Sequence, residues 1–173
     1  MTPGSGTAGG IQRLVVLADT HIPHAAKRLP AGLFPHLRRA DAILHAGDVT
    51  APEVLEELAG YAPVWAAIGN NDGADVRRWG GTDEVHVDLG VPVAMVHDAG
   101  RRAGREGRLR RRFPGAGLIV FGHSHVPEVV RTEGAWLLNP GSPTWKRREP
   151  APTFAVVGID GDRVRRPRVV ALT

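Results

Sequence analysis

The sequence predicts an α/β fold arranged as a two-sheet β-sandwich with flanking helices, and three observations carry that reading. Apolar strand-like runs alternate with helix-like segments through the first half of the chain. Short strands separated by turn signals fill the second half. A polar cluster stands at the end of each of five apolar runs, the place where open α/β sheets hold their ligands.

Ile11 to Ala18 reads as a strand buried on both faces, because its apolar residues are β-branched or leucine and nearly continuous. A short helix is expected over Pro30–Arg39, a second buried strand over Ala42–Ala46 and a third over Val64–Ile68. Between the last two, Pro52–Ala59 reads as a helix, with Pro52 in its first turn and Gly60 just past its end. That order predicts parallel pairing. Glu84–Leu89 and Val91–Val96 then form a hairpin about Gly90, and Ala103–Phe113 a basic helix closed by Pro114-Gly115. Leu118–Phe121, Val126–Arg131, Ala135–Leu138, Thr153–Ile159 and Val164–Val170 read as further strands, antiparallel in this later half. Glu133-Gly134 and Asp160-Gly161 supply turns. Ala74–Gly81, Ala99–Gly107 and Thr144–Pro150 are expected as loops walling a site. No repeat or linker divides the chain, so residues 11–173 are read as one domain behind a loose Gly/Ser/Thr/Pro tail at residues 1–10.

Composition removes several function classes. The absence of cysteine excludes disulfides and thiolate metal sites. The tail lacks the charged start and apolar core of a signal peptide, and no apolar run spans a bilayer, so a cytoplasmic protein without membrane contact is expected. Arginines crowd residues 101–112 and 163–168, yet no nucleic-acid module accompanies them and Tyr61 is the only tyrosine. They read as solvated faces, and nucleic acid is not expected as a partner. Trp79 and Trp145 read as exposed apolar residues that would suit a homodimer or higher homo-oligomer.

The clusters are Asp19-Thr20-His21, Gly47-Asp48, Gly69-Asn70-Asn71-Asp72, His97-Asp98 and Gly122-His123-Ser124-His125. Carboxylate, carboxamide and imidazole suit Mn, Fe, Zn or Mg. Turn chemistry alone would account for Gly47-Asp48, but not for histidines at three of the same strand exits. Ile22-Pro23 breaks the chain after Asp19 and His21, and Gly47 and Gly69 permit sharp turns beside the next side chain.

These clusters, with His45-Ala46-Gly47-Asp48 and Asn139-Pro140-Gly141-Ser142, resemble the calcineurin-like metallophosphoesterases in their small single-domain bacterial and archaeal branch. The resemblance runs from Leu14 to about Val157 and implies a metallophosphatase-like four-layer αββα sandwich. It implies two divalent ions, Mn first, with Fe, Zn, Ni or Mg as alternatives. One ion would be held by Asp19, His21, Asp48 and His125, the other by Asp48, Asn70, His97 and His123, with Asp48 bridging. The implied activity is hydrolysis of a small phosphoester, a phosphodiester first, by attack of a metal-bridging hydroxide. Asp48, Asn70, Asn71 and His97 are the expected catalytic residues. Asn71 departs from the family pattern, since many relatives carry there a histidine that contacts phosphate. Asp98 replaces the usual glycine and reads as a cap on the following turn.

His45 reads as a hydrogen-bonded core residue, His36 and His86 as surface residues, and His24 as a neighbour of the first cluster. Arg147 and Arg148 stand where they could reach a substrate phosphate, though solvation is the default reading, and the Asn139–Ser142 turn is expected to support the site. A second functional class also fits the fold. His21-Ile22-Pro23-His24 resembles the same-fold subunit of the retromer coat, a non-catalytic protein-interaction scaffold. The intact Asp48 favours the enzyme.

Overall fold

Strand β1, Gln12–Leu17, buries both of its faces, which is why its sequence shows no polar alternation. Leu14 and Val16 enter the core between the two sheets, while Val15 and Leu17 point outward beneath helices. The computed structural model describes residues 10–173, so the expected tail, apart from Gly10, lies outside the described residues.

After β1 come a 3-10 turn at Ala31–Leu33 and α1, Phe34–Leu37. The first half continues through β2, Ala42–His45, α2, Pro52–Ala59, β3, Val64–Ala66, and α3, Ala74–Trp79. The hairpin strands are β4, Glu84–Asp88, and β5, Pro92–Val96, followed by α4, Arg105–Arg112. The chain closes with β6, Leu118–Val120, β7, Glu128–Arg131, β8, Trp136–Asn139, β9, Thr153–Asp160, β10, Arg163–Val164, and β11, Arg168–Ala171.

One sheet has the order β10-β9-β1-β2-β3, with β11 also paired to β9, and the other the order β4-β5-β6-β8-β7. Leu44, Met95, Val120, Leu138 and Val157 belong to the core between them. Val15, Ile43 and Phe154 of the first sheet pack with Leu37, Leu55, Leu58 and Val76 of α1, α2 and α3. Ile119, Phe121 and Leu137 of the second sheet pack with Leu109 of α4. The layers therefore run helix, sheet, sheet, helix, as expected.

Three departures from the sequence reading have physical causes. The second sheet is mixed, because β5 pairs parallel with β6 and β6 parallel with β8. The basic helix α4 carries the chain back between β5 and β6, as a parallel connection requires. Residues 74–79, expected as loop, form α3, too short to show a helical period, with Val76 buried and Trp79 half-buried in the outer layer. Trp79 is thus a packing residue rather than an exposed one. The strand expected over Val164–Val170 splits into β10 and β11 around Pro167, which has no N–H to donate, although both pieces lie along β9.

The arginine-rich stretch is only partly a solvated face. Arg105 pairs with Glu128 at 2.7 Å, Arg112 pairs with Glu84, and Arg108 donates to the carbonyls of Ala99, Arg101 and Ala103. None of the described helices is long and apolar enough to cross a membrane.

Leu44 is fully buried between the sheets, whereas Ile11 is 48% exposed. Leu44→Ala is expected to cost about 2–5 kcal/mol of unfolding free energy in urea titration, and Ile11→Ala about 0.5 kcal/mol or less.

Candidate metal centre

β1, β2 and β3 are mutually parallel, as are β5, β6 and β8, so each set delivers its C-terminal ends to one edge of its sheet. Contacts between the sheets make these a single rim. His97, just past β5, lies 2.7 Å through Nδ1 from the Ala46 carbonyl just past β2. The N–H of His123, after β6, donates to Asp19 Oδ2 after β1 at 3.0 Å.

The turns that present these side chains are unusual. Asp19, His21, Asp48, His123 and His125 all have positive φ, between 44° and 71°, a left-handed backbone that non-glycine residues rarely adopt. Such strain clusters at functional sites and persists only where surrounding contacts impose it. The contacts are visible here. The Asp19 N–H donates to the Gly47 carbonyl and the His21 N–H to the Asp48 carbonyl. The Ser142 and Thr144 hydroxyls each donate, at 2.7 Å, to the Asp19 and Thr20 carbonyls. A Cβ at Gly69 would collide with the backbone N and the carboxylate of Asp48, so glycine there is what lets the third strand exit come so close.

Every residue expected in the site meets at this rim, and most of the floor is buried: Asp19, His21, Asp48, His97 and His125 are nearly inaccessible. His21 Nε2 and His125 Nε2 face each other at 3.2 Å, and Asp19 Oδ1 lies 3.8 Å and 3.5 Å from them. Asp48 Oδ2 sits 3.4 Å from both His21 Nε2 and His97 Nε2, midway between two groups of donors. Asn70 Oδ1 is 3.0 Å from both His97 Nε2 and His123 Nδ1 and completes the second group. Asn70, Asn71 and His123 are exposed and form the solvent side.

Outer contacts aim the candidate ligating atoms. His125 Nδ1–H donates to the Trp145 carbonyl at 2.8 Å and His97 Nδ1–H to that of Ala46, leaving each Nε2 turned inward. Asn71 clasps Asp48 twice, its backbone N–H to Oδ1 and its side-chain amide to Oδ2, both at 2.8 Å. Asp72 has a structural role that the sequence did not disclose. Its carboxylate accepts from the backbone N–H groups of Asp48, Gly69 and Thr50 at 2.7–2.9 Å, tying two strand exits together. The Asn139 turn supports the rim, with Nδ2 donating to the Gly122 carbonyl and to Ser124 Oγ.

The environment separates the protonation behaviour of these groups. Burial alone would raise the Asp48 carboxyl, but bonds from His97 and Asn71 outweigh it and hold the group well below the usual carboxylate range. Burial alone would lower His97, yet Asp48, Asp19 and the Ala46 carbonyl raise it above an ordinary imidazole. Burial lowers His125, despite the opposing pull of Asp19 and the Trp145 carbonyl. Asp72 is raised by burial, against its backbone donors.

The remaining histidines lie apart from the donor groups. His24 and His86 are exposed. His36, expected on the surface, is half-buried, its Nδ1 accepting from Arg13 at 3.1 Å and its ring against Phe154. Asp98 caps its own turn, accepting from the Gly100 N–H at 2.7 Å. Arg147 and Arg148 are exposed. His45 is a core residue. Its Nδ1 accepts from the Gly47 N–H at 3.2 Å, which places its proton on Nε2, facing Thr20 Oγ1 at 3.1 Å.

Burial, and next the neighbouring His97, lower His45 to about 3. The unfolded chain then binds more protons between its ordinary value of 6.5 and about 3, so His45 stabilises the fold above pH 6.5 and less as pH falls through that window. Asparagine, whose Oδ1 can still accept from Gly47, does not titrate. His45→Asn is expected to lower metal-free stability at pH 7.5 by about 1–3 kcal/mol. Its loss of stability between pH 6.5 and 4, followed by urea titration, should nevertheless be shallower than that of the wild type.

Comparison with known proteins bears on the family and the fold. The model of the calcineurin-like phosphoesterase superfamily domain matches residues 13–162. A probable metallophosphoesterase of Methanothermobacter thermautotrophicus is 36% identical over 154 residues, which cover 86% of this chain and 87% of that protein. Vacuolar protein sorting 29 from Cryptosporidium parvum superposes with a TM-score of 0.81 at 24% identity, over 94% of this chain and 92% of that one. An archaeal phosphodiesterase superposes with a TM-score of 0.69 at 19% identity, over 92% and 100% of the two chains. The two structures share the fold, and the first two matches share the sequence family. This chain belongs to the calcineurin-like phosphoesterase superfamily.

Proposed function

We propose that the protein is a dinuclear metal-dependent phosphodiesterase acting on a small phosphoester. One observation carries the proposal. Asp19 Oδ1 is buried without a hydrogen-bond partner beside the facing Nε2 atoms of His21 and His125. A buried anionic oxygen left unpaired is costly, and a divalent cation is the group that satisfies it together with two imidazole lone pairs. Asp19, His21 and His125 form one compact donor set, and Asp19, Asp48 and His97 a second that shares its carboxylate.

On this reading Asp19, His21, Asp48 and His125 hold one ion and Asp48, Asn70, His97 and His123 the other. Mn is the first choice, with Fe, Zn, Ni or Mg as alternatives. Such a pair of ions supplies a nucleophile at neutral pH and offsets charge on a phosphoryl group. The chain supplies the rest. Asn71 holds Asp48 in place from the solvent side, and the exposed Asn70, Asn71 and His123 border the path by which a phosphoester arrives. Asn71 is an amide and cannot donate a proton to a departing alkoxide, so esters with good leaving groups are the better substrates. The archaeal phosphodiesterase of the same fold supports the choice of a diester. The scaffold reading keeps some support from the likeness to the vacuolar sorting protein, which is a likeness of fold.

Hydrolysis of bis(p-nitrophenyl) phosphate is expected to depend on added Mn. Asp48→Asn should lower it by well over the roughly 10–100-fold that losing an outer-shell partner costs, with the circular dichroism unchanged. Metal-loaded protein inert toward diesters and monoesters would favour the scaffold. In metal-free protein His97 faces an acceptor at each ring nitrogen and is raised above 6.5, so it must shed a proton to ligate. Apparent Mn affinity, titrated calorimetrically, should therefore fall by about tenfold per pH unit below the His97 value, starting closer to neutrality than for an ordinary histidine.

A further inference from the structure

We propose that Trp145 and Arg147 form a subsite for an aromatic ester group on the substrate, an inference that rests on the phosphoesterase reading above. The indole of Trp145 stands 5.4 Å from the His21 ring and 5.3 Å from the His125 ring, nearly perpendicular to both. It is 46% exposed. Of the four large apolar side chains exposed among the described residues, Trp145 and Val126 both adjoin His125, one through its carbonyl and one along the chain. Trp65, Trp79 and Trp136 all pack against the cores, but Trp145 does not. Its side chain, edged by two site histidines and 46% exposed, is therefore partly open to a ligand, beside the place where the phosphate is expected.

The root of this side chain is fixed. The Trp145 N–H donates to Ser142 Oγ at 2.9 Å, its carbonyl accepts from His125 Nδ1, and Ser142 Oγ in turn donates to the Asp19 carbonyl. Main chain and side chain thus divide two tasks: the carbonyl aims His125, which any residue can do, and the indole offers a flat face. Arg147 stands over the indole and leaves the opposite side for a ligand. Its guanidinium carbon lies 5.3 Å from the indole centroid, it has no carboxylate partner among the described residues, and its own φ of 51° is strained. An arene stacked on the indole would lie beside a cation able to meet an ester or phosphate oxygen. Both an aryl ester and a nucleobase-bearing ester have the chemistry this subsite fits.

The test is calorimetric binding of two matched pairs to the Mn-loaded protein: phenylphosphonate against methylphosphonate, and adenosine 5′-monophosphate against ribose 5-phosphate. Wild type should prefer the aromatic member of at least one pair by about tenfold, the pair naming the source of the ring. Trp145→Ala should abolish that preference while Trp145→Phe keeps it, with Mn stoichiometry unchanged because the carbonyl to His125 remains. Should Trp145→Ala fail to fold, Trp145→Leu, which keeps bulk without a π face, takes its place. Equal binding within both pairs, or a preference that survives loss of the aromatic ring, overturns the subsite. If none of the four ligands binds, the phosphate site itself fails, and the subsite with it.

Discussion

The carboxylate of Asp48 has to stand within reach of two groups of histidines that arrive from different sheets, and much of the structure follows from that requirement. Asp48 leaves β2 in a left-handed conformation, with its N–H on Asp72 and its two oxygens under the Asn71 backbone and amide donors. Its Oδ2 is then equidistant from His21 of the first sheet and His97 of the second. The third strand exit must pass so near that only glycine fits at position 69. Asp72 joins that exit to the Asp48 loop through backbone donors and so fixes the spacing between adjacent parallel strands at their ends. Removing any of these contacts leaves a strained turn unsupported beside a buried anion.

The sandwich supplies what a loop could not. Strand ends are anchored by ladders and by cores on both faces, so atoms just beyond them inherit little freedom. The candidate ligating nitrogens are aimed by backbone carbonyls, that of Ala46 just past β2 for His97 and that of Trp145, in the loop between β8 and β9, for His125. The same pairing sets their chemistry. His97 lies between a carbonyl and the carboxylates and is raised, while His125, more affected by burial, is lowered. Two imidazoles of one site thus differ in proton affinity through their surroundings.

Most of the fold was legible because strands buried on both faces write themselves as apolar runs and polar clusters mark where those runs end. The parallel pairing of β5, β6 and β8 was not legible, since pairing direction leaves no period in a single strand. It matters for the site: had β5 and β6 been antiparallel neighbours, His97 and His123 would leave by opposite edges. Helix α3 escaped because six residues hold fewer than two turns, and the break before β11 because one proline interrupts an otherwise strand-like stretch. At the rim, residue types with metal chemistry were visible, whereas those that serve through the backbone were not. Asp72 and Thr144 act on N–H and carbonyl groups whose positions depend on strands distant in sequence, whereas Ser142 belongs to the turn already expected to support the site.

The cost of the arrangement bears on what it is for. Five candidate ligand residues at one rim hold left-handed backbone, as do Thr50 and Arg147 beside them, each at on the order of 1 kcal/mol or more, in a chain whose net stability is a small difference between large terms. Glycine would relieve that strain at any of the five positions but would remove a carboxylate or an imidazole. A surface serving only to dock another protein gains nothing from a buried carboxylate oxygen without a partner or from two imidazole nitrogens turned toward each other. A cation bound by the folded state and not by the unfolded chain returns stability in proportion to its affinity, and so offsets strain of this kind. The strain, the unpaired oxygen and the convergent nitrogens therefore have one explanation in common, and it is the chemistry of the site rather than the packing of the fold.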